Sequence, residues 1–187
     1  MQVTAGRLAL TATGLLFTWS GLAGASVSGS IRDLISGQKP EAGTNPITGT
    51  GGGAGQTGSA IANQALTYRG DPYVWGGANF PKGGDCSGLV NDVVGRDLGM
   101  AIPGYPTGKF TGHGPVTSQW FAWNGAATVA IPDMQAGDLV CWITHMGIAI
   151  SGGQMISALN PSLGVMVTTV AGAAPPGEPM RIRRLKA

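Results

Sequence analysis

Residues 85–98, DCSGLVNDVVGRDL, place a cysteine at the start of a predicted helix. Asp85 stands at the N-cap position, and Gly99 follows the stretch as a terminator. Between them, apolar residues recur at the spacing of one helical face. These residues are Leu89, Val90, Val93 and Val94. The stretch therefore predicts a helix with one buried face and with Cys86 at its positive end.

The segments around this helix define the predicted fold class. Upstream, residues 59–68 form a second helical pattern with Ile61 and Ala65 on one face, and Gly70 ends it. Downstream, the pattern changes to short β-rich runs divided by Gly, Asn or Pro. These runs are 138–143, 147–151, 154–158 and 164–170. Helices followed by strands predict an α+β domain with helices packed on an antiparallel sheet.

Composition excludes some functional classes. The 187 residues include 33 glycines, only 11% are charged and the net charge is +2, so most of the chain must pack and no basic stripe for nucleic acid is present. Four basic residues lie near the C-terminus, where a solvated end is the expected structure. They are Arg181, Arg183, Arg184 and Lys186.

The N-terminal third divides into an apolar segment and a linker. Residues 8–27 carry no charge and are long enough to cross a bilayer, but they also fit a secretory signal or a packed helix. Residues 37–58 are rich in Gly, Thr and Pro and predict a flexible tether. The expected organisation is a hydrophobic segment over 1–36, a linker over 37–58 and a catalytic domain over 59–187.

The two cysteines have different surroundings. Cys86 is flanked by small polar residues, whereas Cys141 lies in an apolar run and is expected to be a buried strand residue. Because a nucleophilic cysteine must form a thiolate, two free thiols are favoured over a disulfide. The spacing of the cysteines and histidines fits no usual zinc site, and we predict no metal and no cofactor.

Two histidines could supply a base for Cys86. His145 lies between two predicted strands, which would hold its ring in place, whereas His113 lies in a glycine-flanked loop. A general base must be held within hydrogen-bond reach, so His145 is the predicted base. His113 is expected to be a polar loop residue or, as the sharper alternative, a substrate contact.

Four sequence blocks together are similar to the signature of the NlpC/P60 family of cell-wall peptidases. The blocks are YVWGG at 73–77, DCSGLV at 85–90, AGDLV at 136–140 and HMGI at 145–148. They occur in the family's order over roughly residues 60–170. The resemblance implies a papain-like fold and hydrolysis of stem peptides in peptidoglycan, at D,L bonds such as D-glutamyl–diaminopimelate.

The resemblance also implies further site residues. Tyr73 matches a position whose hydroxyl helps to shape the oxyanion site, although a core aromatic is an equal alternative. The family usually places a third polar residue after the base, where it orients the ring. That position corresponds to Ser157, which is short and neutral, and Asn160 is the alternative. Backbone N–H groups of Cys86 and Ser87 are expected to complete the oxyanion site.

Alternative functions and settings stay open at this point. The chain could be a catalytically weak wall-binding or structural component, or a Cys-His amidase or acyltransferase on another substrate. An extracytoplasmic site at the cell envelope is expected, either as a membrane-anchored or secreted bacterial hydrolase or at a phage tail tip. In the phage setting residues 1–36 would pack among tail proteins or enter the host membrane, and residues 155–161 resemble phage versions.

One irregular segment interrupts the predicted domain at residues 103–123. Its prolines and glycines exclude regular structure over the first part, and a lid is one interpretation. Trp120, Phe121 and Trp123 at its end either anchor the segment in the core, which is favoured, or expose a sugar-stacking surface.

Overall fold

The computed structural model describes residues 53–151 and 153–186. Its helical elements are α1 (Gly53–Leu66), α2 (Cys86–Asn91), a π-helical turn (Asp92–Asp97), α3 (Thr117–Ala122), a 3-10 turn (Ile131–Asp133) and α4 (Val170–Ala173). Its strands are β1 (Ala126–Val129), β2 (Leu139–Cys141), β3 (Met146–Ser151), β4 (Gln154–Ala158), β5 (Val165–Thr169) and β6 (Arg181–Leu185). The predicted mixture of helices and an antiparallel sheet is confirmed.

The apolar segment 8–27 and the linker up to residue 52 lie outside the described residues. Within the described part, every helix is too short or too polar to span a bilayer. Helix α1 begins at Gly53, six residues before the predicted start, so the end of the predicted linker is helical. Contact with the rest of the domain explains the difference, because Gly58 lies directly against the backbone of Ala136 and Gly137.

The helix that carries Cys86 changes geometry half-way. After Asn91 it continues as a π-helical turn, in which the N–H of Leu98 donates to the carbonyl of Val93 at 3.2 Å. The predicted apolar face is nevertheless continuous and is fully buried against the sheet. Each of these side chains contributes about 1.5–3 kcal/mol on burial, which firmly attaches the helix to the strands.

The strands form a six-stranded antiparallel sheet in the order β1-β6-β2-β3-β4-β5. One face packs against α1 and α2, and the other is covered by α4 and the loops beside it. The first face is lined by Leu139, Met146, Ile148, Ile156 and Val165. Strand β3 is central and contacts α2, and the N–H of its first residue, Met146, faces Cys86 at the start of α2.

The expectation of a solvated basic C-terminus is wrong. Residues Arg181–Leu185 form β6, which pairs with both β1 and β2. Arg183 is only 5% exposed, and its guanidinium donates to the carbonyls of Trp123 and Ala126. The strand is accommodated because acceptors on β1 and just before it pair with both terminal nitrogens of the guanidinium, although its buried Nε has no hydrogen-bond partner among the described residues.

The aromatic end of the 103–123 segment anchors it in the core, as favoured. Trp120 is fully buried and Phe121 is 8% exposed. The indole N–H of Trp120 donates to the side-chain oxygen of Asn91 at 2.9 Å, which joins the segment to α2.

Candidate active site

Cys86 is the first residue of α2, and Asp85 caps that helix. The Asp85 carboxylate accepts from the backbone N–H of Gly88 at 2.8 Å and from the hydroxyl of Ser87 at 3.0 Å. Its second oxygen accepts from the N–H of Gly76 at 3.0 Å, in the loop that contains Tyr73. Asp85 therefore joins the nucleophile helix to this loop.

Gly88 permits this junction because it has no side chain. A Cβ atom at Gly88 would overlap the carbonyl oxygen of Gly77. The small residue after Ser87 is therefore required by the close approach of two backbones, and the approach brings the 73–77 loop beside Cys86.

The Cys86 thiol is buried and uncharged at neutral pH. Burial, reinforced by the Asp85 carboxylate, raises the pKa of Cys86 to about 11. Backbone N–H groups of Met146, Ser87 and Cys86 act in the opposite direction but do not outweigh burial. The helix start alone thus does not produce a resting thiolate, and a base must remove the proton when substrate is bound.

His145 is held at the end of the β2–β3 hairpin. Its carbonyl accepts from the N–H of Trp142 at 2.8 Å, and its ring stacks on the Trp142 ring with centroids 6.0 Å apart. The next residue, Met146, directs its N–H toward the sulfur of Cys86. The hairpin therefore places Met146, the residue that directly follows the predicted base, against the predicted nucleophile.

Ser157 determines which nitrogen of His145 carries the proton. The Ser157 hydroxyl donates to the carbonyl of Met146 at 2.7 Å and lies 3.2 Å from Nε2 of His145. Since a hydroxyl has one proton, and the Met146 carbonyl takes it, the oxygen accepts from an N–H at Nε2. This leaves the lone pair of His145 on Nδ1.

The structure brings Ser157 to the ring and places Asn160 elsewhere. Ser157 is fully buried on β4 beside His145. The side-chain oxygen of Asn160 instead accepts from the N–H groups of Ser162 and Leu163, each at 3.0 Å, in the turn before β5. Asn160 is therefore a turn residue in this structure.

The pKa of His145 is lowered, because burial disfavours the imidazolium. Glu178 opposes this shift. Its carboxylate accepts from both the N–H and the hydroxyl of Thr144, at 3.0 and 2.5 Å, and so lies one residue from the base. Sequence reasoning missed Glu178, since nothing in its proline- and glycine-rich surroundings links it to a hairpin 34 residues away.

Tyr73 lies beside the nucleophile. Burial and the nearness of Cys86 and Asp85 raise the pKa of its hydroxyl, so Tyr73 is a neutral hydrogen-bond donor. It is half-buried and packs on the core, and its backbone forms a bridge with Gly84. The core packing expected as one alternative is therefore present, and the hydroxyl lies near enough to Cys86 to interact with it electrostatically.

His113 is paired with Asp85, a contact that neither the loop residue nor the substrate contact expected from the sequence included. Its Nε2 lies 2.9 and 3.1 Å from the two carboxylate oxygens of Asp85. A histidine in a glycine-flanked loop does not by itself indicate a site residue, and its partner Asp85 is 28 residues away along the chain.

The second cysteine lies on β2, in register with Met146, and is fully buried. Cys141 is a free thiol in the sheet, and burial raises its pKa to about 12. Among the described residues, no group of three or more His, Cys, Asp or Glu side chains could hold a metal ion.

The model of the NlpC/P60 family matches residues 70–184, which is more than half of the chain. The chain belongs to the NlpC/P60 family. The match includes both the cysteine helix and the histidine hairpin.

Relatives of this NlpC/P60 domain have names that refer to endopeptidases. A protein of Corynebacterium glutamicum named "Probable endopeptidase" is 40% identical over 112 residues, 58% of this chain and 46% of that protein. The bifunctional muramidase/DL-endopeptidase CwlT of Bacillus subtilis is 31% identical over 106 residues, 52% of this chain and 28% of CwlT. The chain spans less than half the length of these and other curated relatives it matches.

A solved structure has the same fold. The NlpC/P60 domain of the peptidoglycan hydrolase SagA is 30% identical, with a TM-score of 0.51, and the alignment covers 67% of this chain and 97% of that domain.

Proposed function

We propose that this chain is a peptidoglycan endopeptidase that cleaves stem peptides with Cys86 as nucleophile and His145 as base. The observation that carries the proposal is the placement of Cys86 at the start of α2, against the backbone N–H of Met146. Met146 directly follows His145, whose free lone pair is on Nδ1. A neutral thiol beside a neutral imidazole is the resting state expected of a general-base mechanism.

The proposed reaction has two steps. His145 Nδ1 takes the thiol proton as Cys86 attacks the stem-peptide carbonyl, and the N–H groups of Cys86 and Ser87, with the Tyr73 hydroxyl, stabilise the oxyanion. The imidazolium returns the proton to the leaving amine. Water, deprotonated by His145, then hydrolyses the thioester and restores the thiol.

The proposed substrate bond is a D,L bond of the stem peptide, of the D-glutamyl–diaminopimelate type. The name of CwlT as a DL-endopeptidase and that of SagA as a peptidoglycan hydrolase support the class of substrate. The same Cys-His pair could serve an amidase or acyltransferase, so the bond must be identified from the products.

Digestion of purified sacculi tests the proposal. The wild-type chain is expected to release muropeptides whose masses report the bond cut, and Cys86→Ala is expected to release none. Cys141→Ala is the matched control, since it removes the other buried thiol while Cys86 and His145 are kept. Equal digestion by Cys86→Ala would refute the nucleophile, and intact binding without products from the wild type would favour a wall-binding component.

The biological setting is a separate part of the proposal. Extracytoplasmic action follows from a peptidoglycan substrate, and residues 8–27 would supply membrane contact or a secretion signal. A phage tail tip and a membrane-anchored or secreted bacterial hydrolase are the two predicted settings. Detection of the chain in purified virions or only in bacterial envelopes distinguishes them.

A further inference from the structure

His113 and Asp85 form a close pair beside the nucleophile. Nε2 of His113 faces both oxygens of the Asp85 carboxylate, and the two side chains are only 19% and 10% exposed. Asp85 is directly bonded along the chain to Cys86 and is the charged group that acts most strongly on its thiol. A change in the net charge of this pair therefore shifts the pKa of the Cys86 thiol.

The surroundings of the His113 ring fit its charged form. Nδ1 lies 3.3 Å from the carbonyl oxygen of Gly114, so both ring nitrogens face oxygen acceptors. Only the imidazolium donates from both nitrogens. In agreement, the hydrogen bond with Asp85 raises the pKa of His113 against the opposing effect of burial. A ring in this state has no lone pair for the thiol proton, which also separates His113 from the role of His145.

Other charges near His113 do not cancel this effect. Asp92, on the helix behind Asp85, also raises the pKa of His113. Asp92 is itself paired with Arg96, four residues on, and accepts from the N–H of Phe80 at 2.8 Å. His113 is thus the cation that contacts Asp85 directly.

The main chain at His113 is anchored independently of its ring. The side-chain amide of Asn91 donates to the carbonyls of His113 and Pro115, at 2.8 and 2.9 Å. Asn91 is fully buried and is also bonded to Trp120. Substitution of the His113 side chain therefore changes the charge next to Asp85 while these backbone contacts continue to hold the loop.

We propose that His113 is a positioning residue whose imidazolium neutralises Asp85, so that the thiolate of Cys86 can form in a site where the Asp85 charge would otherwise oppose it. The Asp85 carboxylate caps α2 and binds the N–H of Gly76, and its charge is unfavourable for a neighbouring thiolate. The His113 imidazolium, in the loop before α3, offsets this negative charge. The proposal rests on Cys86 as the nucleophile of the proposed function.

Alkylation of Cys86 by iodoacetamide, located by mass spectrometry, measures thiolate formation without any peptidase substrate. His113→Gln keeps an N–H donor for Asp85 but removes the positive charge. The rate of alkylation at pH 7 is expected to fall about tenfold, because loss of a nearby cation raises the pKa of the Cys86 thiol by about one unit. His113→Arg keeps a permanent cation and is expected to retain the wild-type rate. Lys109→Gln, which removes an exposed positive charge from the same loop, is the matched control and is expected to alkylate normally.

The pH dependence gives a second readout. The wild-type alkylation profile is expected to show an inflection where His113 loses its proton, and His113→Arg is expected to lack it. Folding of each variant is checked by near-ultraviolet circular dichroism. A folded His113→Gln that alkylates at the wild-type rate, or a folded His113→Arg that is as slow as His113→Gln, would overturn the proposal. Failure of sacculus digestion with these alkylation results intact would instead count against the proposed function.

Discussion

The hydrogen bond from His145 to Ser157 makes a quantitative prediction. Ser157→Ala removes the acceptor for the Nε2–H of His145 and the donor to the Met146 carbonyl. A buried polar group that loses its partner costs about 1–3 kcal/mol. When the whole of this free energy is lost from stabilisation of the transition state, kcat falls roughly 5- to 150-fold, since about 1.4 kcal/mol corresponds to a factor of ten in rate.

The assay must separate orientation of the base from substrate binding. Because Ser157 is fully buried, it does not contact substrate, and KM is expected to stay unchanged while kcat falls. The lost bond to Met146 is expected to appear separately, as a lower free energy of unfolding in urea. Ser151→Ala is the matched control, because its hydroxyl lies on the same sheet in an exposed bond with Gln154.

Two results would refute this reasoning. An unchanged kcat in folded Ser157→Ala would show that the hydroxyl does not orient the ring. An increase in KM at constant kcat would show that the substitution acts through the substrate site and not through the base.

Two further predictions follow from the charges in the domain. Because burial lowers the pKa of His145, the activity is expected to rise with pH as His145 loses its proton, with a midpoint below the pKa of an ordinary histidine. Because the pKa of Cys86 is raised to about 11, no further rise from free thiolate is expected near neutral pH. A kcat/KM profile from pH 4 to 9 checks this, and an acid limb above the ordinary histidine value would contradict it. Arg183→Leu is expected to lower the free energy of unfolding by about 2–4 kcal/mol, since buried carbonyls of Trp123 and Ala126 lose their donor. Urea denaturation measures the loss, Lys186→Ala at an exposed position is the control, and equal stability of the two variants would disprove the structural role of Arg183.

The predicted strands show what periodicity can and cannot detect. The runs that became β2 to β5 were readable because β-branched residues are bounded by turn residues. Strand β6 was missed, since RIRRL contains three arginines and charge near a chain end usually indicates solvent exposure. Its burial depends on acceptors contributed by residues 123–128, which the local sequence does not reveal.

The site shows the same division. A cysteine after an N-cap aspartate and a histidine between strands are local patterns, so the sequence alone could propose Cys86 and His145. The effect of the helix start on the thiol could not be read from the sequence, because burial of the sulfur and the charge of Asp85 exceed the effect of nearby N–H groups. Burial is a property of the packed domain, so the helix pattern could not predict it.

The sequence by itself determined the family, the α+β class and the identities of Cys86 and His145 as candidates, because these depend on residue order and short-range periodicity. Only the tertiary structure decided between Ser157 and Asn160 as the neighbour of the ring, paired His113 with Asp85 and brought Glu178 to the hairpin. Each of these contacts joins residues 12 or more positions apart. Such pairs depend on strand register and loop path, which arise when the whole domain packs.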